Sequence, residues 1–225
     1  GDSTFDFSED DDFSIAAWVK GDPGSCAADR EIIFGRKQGN NHRWWLGCDD
    51  EVTSNLIREP VAEFHLQNPS KNREVKGDAS IMDGEWHYLV GVRDATGSGG
   101  TGEIILYVDG VEVARKSADF VNGFEMDNVP LNIGALDDRE HFDGRIDETS
   151  VFKRALSAAE IKQFYLEGFH AKHGVCNNTP FAPIIYSTPP LSGVVQTAYS
   201  YDVKAVGDPT PEFGLTDPPS GMTIN

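Results

Sequence analysis

The chain has 225 residues, of which 39% are hydrophobic, and it carries 19 basic against 37 acidic side chains for a formal net charge of −18. This charge disfavours a nucleic-acid partner, because binding a phosphate backbone draws on clustered Lys and Arg. The apolar content is sufficient for a packed core and argues against a disordered acidic tail. Since no apolar run approaches the ~18 residues of a membrane span, we expect no membrane insertion.

The first 155 residues alternate apolar and polar side chains in short runs, as half-buried strands do. Asp109-Gly110 is typical of a tight hairpin turn, and residues 98–102 form a Gly-rich connection. The pattern predicts an all-β domain of two antiparallel sheets packed face to face. The predicted strands, in chain order, are Phe13–Lys20, Ile32–Lys37, Arg43–Cys48, Val61–Leu66, Trp86–Arg93, Glu103–Val108, Val111–Lys116, Leu131–Ile133 and Arg145–Phe152.

One helix is predicted after these strands. Ser157 and Glu160 have the spacing of a capping box, in which each side chain accepts a hydrogen bond from the other residue's backbone N–H. Ile161, Phe164 and Tyr165 then share one face. We expect the helix to end at Gly168 and to pack as a structural lid on the sandwich.

The chain has three cysteines, Cys26, Cys48 and Cys176, with no CxxC spacing, which argues against a zinc site or a redox dithiol. The predicted hairpin of residues 32–37 and 43–48 brings Cys48 beside the loop that holds Cys26. We therefore predict a Cys26–Cys48 disulfide in an oxidising compartment, with Cys176 left over. Three buried thiols are the alternative.

Composition changes near residue 176, because eight of the twelve prolines lie between Pro180 and Pro219. The change predicts a domain over residues 1–175, a linker over 176–183 and a second module over 184–225. The second module is predicted to hold strands at Pro183–Ser187, Ala198–Lys204 and Glu212–Leu215. About three strands are fewer than the seven of a sandwich, so we expect half a domain.

Five blocks of sequence, in order, resemble the laminin-G-like, concanavalin A-type jelly roll. They are FSIAAWVK at 13–20, DGEWHYLV at 83–90, IILYVDGVEVA at 104–114, LNIG at 131–134, and FDGRIDE at 142–148 running on to ALS at 155–157. The resemblance covers about residues 5–168, without the family's usual first strand. Residues 198–203 and 218–224 resemble bacterial immunoglobulin-like modules related to cadherin repeats.

The resemblance implies a non-catalytic recognition or spacer module of a larger secreted or surface protein, often glycan-binding and often holding calcium. The motifs agree with a non-enzyme, since no HExxH, GxSxG or P-loop occurs. The best pair of carboxylates for glycoside hydrolysis, Glu125 and Asp127, lacks a third acidic residue close behind. We therefore predict no catalytic residues.

Structural calcium is expected from two acidic loops, residues 9–12 and 137–140, which supply the oxygen ligands of a hard cation. In strand register Asp147 shares a face with Val151, so if Val151 is buried Asp147 also points inward and needs a cation or several donors. The alternative partners are backbone N–H groups and a nearby Arg145 or Arg154. The predicted calcium ligands are Asp147, Asp12, Asp11, Asp137 and Asp138, although acidic runs are often only solvated surface.

Trp44 and Trp45 are adjacent in one predicted strand, so they face opposite sides of the sheet. An indole on the outer face offers a platform for the apolar face of a sugar, and Asn41, His42 and Arg43 could donate to its hydroxyls. The alternative is that a loop such as residues 67–80 covers the outer indole.

Together these features predict an extracellular binding or adhesion module, with a glycan or polysaccharide as its partner. One alternative is a structural segment of a surface filament or stalk that makes protein contacts or self-associates. A second alternative is an accessory module of a polysaccharide-degrading enzyme.

Overall fold

Two five-stranded antiparallel sheets form the body of the protein, which confirms the predicted all-β, two-sheet sandwich. The structure is a computed structural model that describes residues 3–26, 30–97, 101–136, 140–172, 181–185, 201, 203, 205–208 and 212–214. Its elements are β1 Phe13–Lys20, β2 Pro23–Cys26, β3 Glu31–Gln38, β4 His42–Val52, β5 Arg58–Gln67, β6 Asn72–Ser80, β7 His87–Asp94, β8 Glu103–Val108, β9 Val111–Ser117, β10 Asn132–Ile133, β11 Arg145–Phe152, α1 Ala158–Lys172, β12 Phe181–Ile185 and β13 Ala205–Asp208.

The first sheet has the strand order β11-β1-β7-β8-β9, and the second sheet has the order β10-β3-β4-β5-β6. Their inner faces bury one aromatic core, in which the ring of Phe13 stacks on Phe7 with centroids 4.1 Å apart and meets Phe64 edge-on at 6.5 Å. Gly91 on β7 faces Phe64, and a Cβ there would lie 2.4 Å from that ring. The missing side chain lets the two sheets approach at this point.

The sequence pattern missed three strands, β2, β6 and β13. A strand was predicted at Ala198–Lys204, but residues 201 and 203 are not in a strand and β13 follows at Ala205–Asp208. In β6 only Val75 is buried, because the strand lies at the edge of the second sheet and most of its side chains are polar. A run with one apolar residue does not show the alternation that marks a half-buried strand. In β2 the Pro-Gly pair signals a turn rather than a strand.

Helix α1 begins at the predicted capping box. The Ser157 N–H donates to Glu160 Oε2 at 2.9 Å, and the Glu160 N–H donates to Ser157 Oγ at 3.3 Å. Tyr165 stacks on Trp18 with centroids 5.8 Å apart, so α1 as far as Tyr165 packs on the outer face of the first sheet. The predicted end at Gly168 is wrong: the helix continues to Lys172, since one interior glycine costs only about 1 kcal/mol.

Cys26 and Cys48 form a disulfide, as predicted. Both cysteines are buried, and Cys48 lies on the inner face of the second sheet. Cys176 lies outside the described residues.

The chain divides into two compact units, Gly1–Tyr165 and Leu166–Asn225. In the second unit β12 pairs antiparallel with β13. Strand β12 begins at Phe181, inside the segment predicted as a linker, and residues 212–214 are not in a strand. The immunoglobulin-like module and the domain limits stay predictions, and residues 186–200 and 215–225 lie outside the described residues.

His87 fastens the β8–β9 hairpin to β7. Its Nδ1 lies 2.8 Å from Asp109 Oδ2 and its Nε2 lies 3.1 Å from Asp83 Oδ1. Asp109 has φ of 53° and Gly110 has φ of 74°, the left-handed pair that the Asp-Gly turn predicted. Burial of the ring lowers the pKa of His87, but the hydrogen bonds and charges of Asp109 and Asp83 outweigh burial, so this pKa is raised.

This raised pKa predicts a pH-dependent stability. Because the folded-state pKa is the higher one, the ion pairs stabilise the fold fully below the unfolded pKa of about 6.5, and the contribution is lost as the pH rises through the folded pKa. We expect His87→Gln to lower the free energy of unfolding by about 1.5 kcal/mol near pH 5.5 and by less near pH 9. Urea unfolding at both pH values, with the exposed His141→Gln as control, tests this. An equal loss at both pH values would contradict it.

Candidate functional site

The two outer faces of the sandwich differ in what covers them. The first sheet lies under α1, whereas the second sheet presents polar side chains on three neighbouring strands. Trp45 of β4 pairs with His65 of β5, and His65 pairs in turn with Glu74 of β6. Glu63 and Lys76 form the next cross-strand pair. Since side chains alternate along a strand, these five lie on one face.

Four further contacts turn this row into a charged network. Lys76 Nζ lies 2.8 Å from Asp49 Oδ2 and also contacts Glu51. Arg30 Nη2 lies 3.3 Å from the same Asp49 oxygen, and its guanidinium stands 4.9 Å from the centroid of the Trp45 ring. We call this group the outer-face cluster: Arg30, Trp45, Asp49, Glu51, Glu63, His65, Glu74 and Lys76.

Glu63 and His65 are the two buried members with a titratable side chain. Burial raises the pKa of Glu63 to about 8, outweighing the nearby charges of Arg30 and Lys76. Burial also lowers the pKa of His65 to about 3, and the charges of Arg43 and Arg30 add to this, while Glu74 and the nearby Asn72 amide oppose it. Burial thus favours the neutral form of each side chain, and His65 Nδ1 lies within hydrogen-bonding distance of Glu63 Oε1, at 3.1 Å.

Two buried atoms of this pair have no hydrogen bond from any described residue: His65 Nε2 and Glu63 Oε2. Lys76 Nζ is 3.7 Å from that Glu63 oxygen, beyond hydrogen-bonding distance. Buried polar atoms are usually hydrogen-bonded, so these two neighbouring atoms can each still take a further partner.

The cluster opens to solvent beside β6. An open depression of about 350 Å³, within the size range of small-ligand sites, lies there. Its lining residues are Glu51, Val52, Glu74, Lys76, Gly77 and Lys116. A second depression, of about 300 Å³, lies around Arg36, but that guanidinium is already bonded to Asp6 and to two backbone carbonyls.

The prediction of an exposed indole is wrong. Trp44 is 0% exposed in the core between the sheets, where it contacts the rings of Phe13 and Phe34. Trp45 is 1% exposed, because Arg30 lies over its ring and His65 stacks beside it with centroids 4.8 Å apart. Both faces of β4 are covered, so adjacency in a strand did not expose either indole.

The other three predicted ligand-binding residues lie at the start of β4. Asn41 is exposed in the β3–β4 turn, and His42 and Arg43 are half-buried. Arg43 shares the outer face with Trp45, and its Nε donates to Gln67 Oε1 at 2.6 Å. Of these three predicted residues, Arg43 lies nearest to the outer-face cluster, two positions before Trp45 on the same face of β4.

The inward orientation predicted for Asp147 is also wrong. Ile146 pairs with Val19 and Val151 pairs with Ile15, so both face the core although five residues apart. A β-bulge between them, with Glu148 at φ of 51°, adds one residue and reverses the alternation. Asp147 is therefore exposed on the outer face.

Among the predicted calcium ligands that the structure describes, Asp147 does not meet Asp11 and Asp12. Asp147 pairs with Trp18, six residues along β1 from Asp12, which places the two about 20 Å apart at ~3.3 Å per residue. Asp12 Oδ1 accepts the Ala95 N–H at 2.7 Å, and Asp11 accepts the Ser8 N–H at 2.7 Å. The described ligands thus do not fit the calcium site that the resemblance implies. Asp137 and Asp138 lie outside the described residues, and calcium binding stays a prediction.

Glu125 and Asp127 are exposed in a segment that is not a strand. The predicted hydrolytic pair required both carboxylates on one face of a strand, and Glu125 and Asp127 do not meet this requirement. Apart from Trp45, no residue of the outer-face cluster was predicted from the sequence as part of a site. A signal was present, since Glu63 and His65 alternate with the buried Phe64, but β6 with Glu74 and Lys76 had not been recognised as a strand.

Two five-stranded antiparallel sheets packed face to face, with one helix on an outer face, fit the architecture of a jelly-roll sandwich. Residues 2–162 match the Laminin_G_3 family, concanavalin A-like lectin/glucanases superfamily, and the chain belongs to this family. No curated protein sequence matches the chain.

Solved structures share the fold at low identity. The binding domain of Paraclostridial Mosquitocidal Protein 1 superposes with a TM-score of 0.58 at 14% identity, over 75% of this chain and 40% of that one. The botulinum neurotoxin serotype D ligand-binding domain in complex with N-acetylneuraminic acid has a TM-score of 0.52 at 17% identity, over 69% of this chain and 36% of that one. A SAP-like pentraxin from Limulus polyphemus has a TM-score of 0.50 at 15% identity, over 68% of this chain and 69% of that one. The chain thus spans well under half the length of the toxin domains.

Helix α1, the helix of the described ranges, is too short and too polar to cross a membrane.

Proposed function

We propose that this chain is a non-catalytic extracellular module that binds a glycan on the outer face of the second sheet. The observation that carries the proposal is the depression beside β6, where Glu74, Lys76 and Lys116 surround an open space next to the outer-face cluster. Sugar hydroxyls both donate and accept hydrogen bonds, so a surface of alternating cations and carboxylates offers partners for each hydroxyl.

The ion pairs of the cluster support a binding role. Asp49, Glu51 and Lys76 hold one another in place, so the side chains lose little further conformational freedom when a ligand binds. The net charge of −18 disfavours polyanionic glycans and favours a neutral one. The neurotoxin domain complexed with N-acetylneuraminic acid, which has the same fold, adds support for a sugar as the ligand.

Two features support the extracellular and non-catalytic parts of the proposal. Disulfides such as Cys26–Cys48 persist in oxidising compartments. Glu63 has the raised pKa of a general acid, but its side chain is 0% exposed and cannot reach a glycosidic oxygen. This burial supports the proposal of a surface that binds without cleaving.

Affinity electrophoresis against a panel of neutral polysaccharides tests the proposal. We expect retention by at least one of them, weakened about tenfold or more by Glu74→Ala combined with Lys116→Ala, since each lost hydrogen bond to a charged group removes about 1.5 kcal/mol or more. Lys153→Ala, exposed after β11, is the matched control and should bind as the wild type does. Unchanged retention in the double variant would contradict the site. Self-association without any retention would favour the structural-segment alternative.

A further inference from the structure

The outer-face cluster contains three side chains whose ligand atoms converge. Glu63 and His65 alternate on β5, and Glu74 lies opposite His65 on β6. One potential ligand atom from each of the three lies within 4.8 Å of the other two. His65 Nδ1 is 3.1 Å from Glu63 Oε1 and 3.5 Å from Glu74 Oε2. Ligands bound tetrahedrally at ~2.05 Å stand about 3.3 Å apart, so these two separations already match a small metal ion.

The burial of the cluster supplies a second observation. The side chains of His65 and Glu63 are 2% and 0% exposed, and His65 Nε2 and Glu63 Oε2 have no hydrogen bond within the described chain. The ligand atoms that converge include His65 Nδ1 and Glu63 Oε1, and Glu63 Oε2 is a further potential ligand atom on the same buried carboxylate.

The cations nearest to Glu63 contact other carboxylates more closely. The shortest contacts of Arg30 and Lys76 are to Asp49 and Glu51, while they stay 3.5 Å and 3.7 Å from Glu63. The side chain of Glu74 is 39% exposed beside the depression, which leaves an entry path.

We infer that Glu63, His65 and Glu74 bind a divalent transition-metal ion such as Zn²⁺ on the outer face of the second sheet. An imidazole with two carboxylates suits Zn²⁺ and Co²⁺, whereas Ca²⁺ takes six to eight oxygen ligands. Three protein ligands leave the fourth tetrahedral position open. The site is separate from the acidic loops predicted to hold calcium, and it does not depend on the proposed glycan.

Titration of the tag-free chain with Co²⁺, followed by visible absorption, tests the inference without any sugar present. We expect one Co²⁺ per chain with the d–d absorption of a low-coordinate site, displaced by Zn²⁺ and not by millimolar Ca²⁺. His65→Gln and Glu74→Gln should each weaken binding at least tenfold. His141→Gln, an exposed histidine outside the cluster, is the control and should bind as the wild type does.

Glu74→Gln keeps the test decisive if His65→Gln fails to fold, because Glu74 is partly exposed and circular dichroism can verify the folded variant. Absence of Co²⁺ and Zn²⁺ binding by the folded wild type would overturn the inference, as would equal binding by Glu74→Gln or displacement of Co²⁺ by Ca²⁺. Metal binding without retention by any polysaccharide would contradict the glycan proposal alone. Retention by a polysaccharide without metal binding would contradict the metal site alone.

Discussion

Replacing Arg36 with Met is expected to lower the free energy of unfolding by about 3–5 kcal/mol, because it removes the Arg36 donors from the largely buried Asp6 carboxylate and from two backbone carbonyls. Arg36 is 1% exposed and projects from β3 into the sandwich. Its Nη1 donates to Asp6 Oδ1 at 2.7 Å, and its Nη2 donates to the carbonyls of Met126 and Val129 at 2.9 Å and 2.8 Å. Methionine keeps much of the apolar volume and removes every donor.

The same contacts tie the N-terminal segment to the rest of the domain. Asp6 Oδ1 accepts hydrogen bonds from Arg36 and also from the Met126 N–H, at 3.0 Å. The variant should therefore speed hydrogen exchange at the Met126 amide more than its global loss of stability accounts for. Arg36→Lys should recover only part of the loss, since one ammonium group cannot reach all three acceptors in the geometry of a guanidinium.

Urea unfolding followed by tryptophan fluorescence measures this prediction. The control is Arg58→Met, because Arg58 has a 65% exposed side chain in a surface ion pair with Asp50, and its loss should cost less than about 1 kcal/mol. A loss below about 1 kcal/mol for Arg36→Met as well would mean that the core does not depend on these hydrogen bonds.

Removing the Cys26–Cys48 disulfide is expected to cost about 3 kcal/mol. The bond closes a loop with a sequence separation of 22, and the chain-entropy model gives this value for a loop of that length. The double variant Cys26→Ala/Cys48→Ala should unfold at correspondingly lower urea concentration than the oxidised wild type. In the chain-entropy model this loss comes from the greater freedom of the unfolded chain.

Two controls separate the bond from the mutation itself. Dithiothreitol should destabilise the wild type by a similar amount and leave the double variant unchanged. A thiol assay on denatured, non-reduced protein should count one free cysteine of the three. A count of three, or a double variant as stable as the oxidised wild type, would contradict the prediction.

Much of the fold could be read from local pattern. The bounds of β1, β8 and β11 agree with the predicted strands, and Asp109-Gly110 forms the predicted turn. These elements depend on neighbours within a few residues: alternation, turn residues with positive φ, and the capping pair Ser157 and Glu160. Cys26 and Cys48 could be paired because the predicted hairpin between them restricted their distance.

The candidate site was much less accessible to the same reasoning. Alternation placed Glu63 and His65 opposite the buried Phe64, but nothing local indicated that both would be buried on the outer face. Their burial depends on Arg30 and Lys76, which arrive from other parts of the chain. Charged residues at alternating positions are ordinarily solvated, so their value as ligands became visible only from the assembled sheet.

Asp147 and Trp45 show where sequence reasoning ends for this protein. Residue type and period-two alternation determined which segments are strands, where they turn and which cysteines pair, because these features depend mainly on residues close to one another in the sequence. Pairing with β1 placed a bulge at Glu148 that turned Asp147 outward, and the long-range approach of Arg30 buried an indole expected at the surface. Strand register and the burial of a side chain by distant residues are properties of the assembled sheets, since both depend on contacts between residues far apart in the chain.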